Sequence, residues 1–119
     1  MHALKMIAET VAALMIPFSP MLLGRRPQVL PQEQWPLTMA DTVDSLLSRM
    51  SAQDKAMVKA TKQEDLVIFY HRWGSSIRRY YGLENGNHQL LDEATAGRDD
   101  ADLAARKIIE AVWLELQRS

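Results

Sequence analysis

The chain has 119 residues, enough for one domain and too few for two ordinary ones. Fourteen Lys and Arg against fifteen Asp and Glu leave a net charge of −1, which argues against a protein whose main task is to coat nucleic acid or an acidic membrane. There is no cysteine, so a disulfide framework, a thiol nucleophile and a Cys-rich zinc site are excluded.

Residues 1–16 are nearly all apolar, broken by His2, Lys5, Glu9 and Thr10. Leu4, Ile7, Val11, Leu14 and Met15 recur at the three-to-four spacing of an amphipathic helix, with Lys5 and Glu9 on the other side. Pro17 and Pro20 end it. A cleaved signal is disfavoured, because Glu9 interrupts the apolar run and no A-x-A follows. A spanning helix is disfavoured too, since about 20 apolar residues are needed. The expectation is a helix that packs on its own domain or joins two copies into a homo-oligomer. The alternative is an anchor over residues 1–23, with Arg25 and Arg26 at the cytoplasmic face of the inner membrane.

Residues 17–36 hold all five prolines, at 17, 20, 27, 31 and 36. Proline fixes φ and removes a donor, so an extended connector is expected. Leu22, Leu23, Val29, Leu30 and Trp35 are apolar enough to pin it to the domain surface.

Residues 37–119 read as a helical domain. Three start signals follow one another: Thr38 to Asp41, Ser51 to Asp54 and Thr61 to Glu64. The first predicts a stripe of Val43, Leu46, Leu47 and Met50, the second one of Met57 and Val58. The third predicts a helix carrying Leu66, Phe69, Tyr70, Trp73 and Ile77, which bends at Gly74 or restarts with Ser75 or Ser76 as cap. Gly82 suits the left-handed position just past a helix end. Asn87 predicts a cap for a short helix over 88–94, stopped at Ala96 and Gly97. Asp99, Asp100 and Asp102 open a last helix with the stripe Leu103, Ile108, Ile109, Val112, Trp113 and Leu116. The expected fold is all-α: a compact bundle of four to five short helices, preceded by the apolar N-terminal helix and the proline-rich strap.

Residues 73–91 are dense in special residues. Gly74, Ile77, Arg78, Gly82, Leu83, Asn87 and Leu90 fall on the pattern G-x-x-I-R-N-x-x-G-L-W-x-x-N-x-x-L. This resembles an uncharacterised family of small bacterial helical domains, a domain of unknown function, over residues 38–116. Asp99 and Asp100 resemble the acidic start of that family's closing helix. Arg79 stands where the family has Asn, and Glu84 where it has Trp. The resemblance implies an all-helical fold and brings no activity or cofactor.

Catalytic signals are weak. His2, His71 and His88 are scattered and form no H-x-x-x-H pair, so no metal is expected. There is no G-x-S-x-G elbow and no phosphate loop. The acidic pairs at 64–65, 92–93 and 99–100 suit helix starts and solvated faces. Nucleic-acid binding is disfavoured by the slightly acidic chain, despite the interleaved Arg72, Arg78, Arg79, Tyr80 and Tyr81.

The leading expectation is a non-catalytic, cytoplasmic module that binds another protein, in the manner of an immunity protein, an antitoxin-like inhibitor or a mobile-element accessory factor, without a cofactor. Its partner site is placed at Arg72, Trp73, Arg78, Arg79, Tyr80, Asn85 and Asn87, because Arg and aromatic side chains dominate protein interfaces. Arg78 has a competing structural role, tying down the Gly82–Asn87 loop or pairing with Asp99 or Asp100. Residues 62–81 carry four basic and two acidic side chains, residues 84–119 four basic and eight acidic, a polarity that would steer a charged partner. The third reading is a small-ligand binder or enzyme using His71, Arg78, Asn85 and Asn87, and it requires one pocket to join those four.

Overall fold

A computed structural model describes residues 29–119; the expected N-terminal helix and most of the connector lie outside the described residues. Five α-helices are present among the described residues: α1 (Met39–Arg49), α2 (Ala52–Ala60), α3 (Val67–Tyr80), α4 (His88–Thr95) and α5 (Ala101–Gln117). No strand occurs among the described residues. The all-α expectation holds. The other four helices all pack against α5, which is the axle of the bundle.

Local chemistry sets most of the boundaries. Thr38 accepts from the Asp41 N–H, Ser51 from Asp54, Asn87 from Leu90 and Asp100 from Leu103. Each satisfies one donor that a helix start leaves unpaired. Glu93 adds a cap from a distance: its carboxylate accepts the Met39 N–H at 2.9 Å and ties α4 to the start of α1.

The third start signal behaves differently. Thr61 ends α2, and its hydroxyl donates back to the Met57 carbonyl at 2.8 Å. The Trp113 indole N–H donates to the Thr61 carbonyl at 2.7 Å, and the Gln117 amide to the Lys59 carbonyl at 3.0 Å. Side chains of α5 thus take up carbonyls that the end of α2 leaves open. A 3₁₀ turn over Gln63–Asp65 follows, and α3 begins only after the fully buried Leu66.

Helix α3 is continuous through Gly74, with Ser75 and Ser76 inside it, so neither serine is a cap. One face explains this continuity: Phe69, Trp73, Ile77 and Tyr80 are all buried in the core, and burying that stripe outweighs the roughly 1 kcal/mol propensity cost of a helical glycine. Phe69 and Trp73 stack at 4.7 Å between ring centroids.

The end of α3 is a Schellman turn. Leu83 N–H bonds the Arg78 carbonyl at 2.9 Å and Gly82 N–H that of Arg79 at 3.3 Å, with Gly82 at φ 71°. The described part of the connector packs here. Leu30 N–H bonds the Tyr80 carbonyl at 3.0 Å, and the Trp35 indole N–H bonds the Leu30 carbonyl at 2.9 Å.

Candidate functional site

The seven residues expected to form one partner surface divide into three groups. Trp73 and Tyr80 belong to the core, each 3% exposed. Both fall on the period of the buried stripe, so the aromatic members of the expected cluster are interior. Tyr80 has the Arg49 guanidinium 4.6 Å above its ring and the Tyr81 ring edge-on at 4.9 Å. Burial pushes its phenol up, against the opposing pull of Arg49. Tyr81, with no exposed surface, shares a hydrogen bond of 2.8 Å with Ser45 and is pushed up to about 12, chiefly by burial.

Asn87 is also buried, and its side chain is fully used. Its carbonyl oxygen caps α4, and its amide donates to the Pro36 carbonyl at 3.0 Å and to that of Tyr81 at 2.9 Å. One side chain therefore joins the connector, the end of α3 and the start of α4. Arg78 is half-buried and fastens the same corner. Its Nε donates to Glu84 at 3.2 Å and its Nη1 to Asp102 at 3.1 Å. The structural role foreseen for Arg78 holds, with Glu84 and Asp102 in place of the expected Asp99 or Asp100.

Arg72, Arg79 and Asn85 remain exposed. Arg72 and Arg79 are seven residues apart, two turns of α3, and share its outer face with Ser75. Neither arginine has a carboxylate within ion-pair distance among the described residues. Val67 and Ile68 lie at the head of the same face, 49% and 46% exposed. Ile68, Arg72, Ser75 and Arg79 make one stripe at helical spacing, with His71 beside it. Val67 and Ile68 were not singled out in the sequence. The signal was present: two β-branched residues lying off the buried period of Leu66, Phe69 and Trp73.

The cavity at the connector does not bring together the four residues of the ligand reading. An open cavity of about 500 Å³ is lined by Gln32, Glu33, Trp35, Leu37 and residues 86–89. It takes in Asn87 but not His71, Arg78 or Asn85. No cluster of three or more His, Asp or Glu side chains able to hold a metal occurs among the described residues. No described helix is long and apolar enough to cross a membrane.

No family model, no curated protein and no solved structure matches the chain. The fold and the α3 face therefore stand on their own geometry.

Proposed function

We propose that the chain is a small non-catalytic module that binds another protein through the outer face of α3, in the manner of an immunity protein or antitoxin-like inhibitor. The observation that carries this reading is the pairing of two exposed, unpaired arginines with two exposed β-branched side chains on one rigid helix. Arginine presents five donors in a planar fork and binds carboxylates in pairs, and a neighbouring apolar patch supplies area to bury. The helix is held on its opposite side by the core, so its exposed face is presented with little ordering cost. Arg78, Asn87 and Tyr80 support the reading indirectly, by fixing the end of α3 on which Arg79 sits.

The test is a charge reversal in the full chain. Wild type, Arg72→Glu/Arg79→Glu and a control, Asp99→Lys, are used as bait in native lysate, with captured proteins weighed by stoichiometry. A single stoichiometric partner held by wild type and by the control, and lost with the double reversal, is the expected result. A partner held equally by all three would remove α3 from the interface. Recovery of no stoichiometric partner would count against the module reading itself.

A further inference from the structure

A second surface is unsatisfied, on the side of the bundle where α1 crosses α5. An open groove of about 340 Å³ is lined there by Met39, Ala40, Val43 and Asp44 from α1 and by Ala111, Leu114, Glu115 and Arg118 at the end of α5. Its floor is aliphatic, and Leu114 is 50% exposed. Asp44 has no cation within ion-pair distance among the described residues, while Glu115 lies 3.8 Å from Arg118.

We infer that this groove receives residues 1–16 of the same chain, laid in as an amphipathic helix. The segment carries the complement the groove needs. Leu4, Ile7, Val11 and Leu14 recur at the spacing by which a helix fills an apolar groove. Lys5 and Glu9, on the other side of that spacing, would then stay in solvent. The reach is sufficient. Residues 17–28 join the segment to the described fold, and twelve residues span up to about 40 Å when extended. Met39 lines the groove and is only ten residues from Val29, so the two lie within about 35 Å of one another. An intramolecular partner on so short a tether has an effective concentration on the order of millimolar, which favours it over a second copy.

The absence of cysteine makes the test direct. Leu114→Cys, an exposed position, is combined in the full chain with Ile7→Cys, Val11→Cys or Leu14→Cys in turn. Ser75→Cys, on the outer face of α3, is combined with the same three as a control. Dilute protein is oxidised with copper phenanthroline and read by non-reducing gel and intact mass. The expected result is a bridge within one chain for at least one Leu114 pair, at monomer mass less two hydrogens, and none for the Ser75 pairs. Ala40→Cys replaces Leu114→Cys if circular dichroism shows lost helix. Bridging only between chains would overturn the inference and assign the groove to a second copy. No bridge from either groove position, or equal bridging to Ser75, would overturn it as well.

Discussion

The indole of Trp35 lies directly against the backbone of Gly82, so closely that a Cβ on Gly82 would overlap the six-membered ring. Gly82 also sits at φ 71°, where L side chains are strained. Two demands therefore fall on one residue: the left-handed turn that ends α3, and a bare surface for the connector. Gly82→Ala is expected to destabilise by about 2–5 kcal/mol, combining a left-handed penalty of about 1–2 with overpacking of about 1–3. Gly97→Ala, at φ 86° with nothing within 4 Å of the added carbon, carries the conformational part alone. Urea unfolding of both, and of Gly82→Ala in a Trp35→Ala background, separates the two contributions. If the Trp35→Ala background does not lessen the cost of Gly82→Ala, the overlap is not the cause.

Tyr81 supplies a pH test. Its phenol is fully buried and held up at about 12, above the ordinary value of 10. The folded state keeps a proton that the unfolded state has given up, so this contribution is present below pH 10 and is lost as the pH rises from about 10 to about 12. An ultraviolet titration should find Tyr81 the last of the three tyrosines to ionise. Its ionisation ahead of Tyr70 and Tyr80 would contradict the burial. Tyr81→Phe removes the Ser45 bond and should cost about 1 kcal/mol at neutral pH.

How far such features were legible from the sequence depends on the distance over which they are decided. The caps at Thr38, Ser51, Asn87 and Asp100 are decided within three residues, and the sequence displays them. The same pattern at Thr61 misleads, because the indole that fixes its carbonyl arrives from Trp113 in another helix. Gly74 reads as a break only while the burial of Phe69, Trp73 and Ile77 on one face is left out of account. The expected partner site shows the same division. Tyr80 and Trp73 follow the core period and are interior, while Arg72 and Arg79 fall between its turns and are exposed. Arg78 has residues on both sides of that divide, and only its two carboxylate partners, six and 24 positions away, settle its role.

Asp54 is a carboxylate in the wrong medium. It is 1% exposed, and its Oδ1 has no hydrogen-bond partner among the described residues. Burial raises its pKa above 3.8, and the Ser51 N–H and hydroxyl only partly oppose this. The folded state then binds a proton more tightly than the unfolded state. Stability from this group is present at low pH and falls as the pH rises from about 3.8 through the folded value. Asp54→Asn keeps the shape without the charge. It should raise the melting temperature by several degrees at pH 7 and by less at pH 3. A variant less stable than wild type at pH 7 would mean that the carboxylate is paired in solution.

Two arginines on one helix should behave oppositely when shortened. Arg78 bridges Glu84 in the loop after α3 to Asp102 in the first turn of α5, with its side chain only 23% exposed. Arg78→Ala releases Glu84, leaves Asp102 to Arg106 alone and loosens the corner that Asn87 also holds, so a loss of about 1–2 kcal/mol is expected in urea unfolding. The loss should shrink in 1 M salt, because Glu84 and Asp102 are themselves more than half exposed. Arg72, six residues earlier, touches no carboxylate, and Arg72→Ala should change stability by no more than about 0.5 kcal/mol. The contrast bears directly on function. A stability-neutral Arg72 is available to a partner, whereas a costly Arg72→Ala would mean that its guanidinium is already engaged within the chain and that the outer face of α3 is not free to bind.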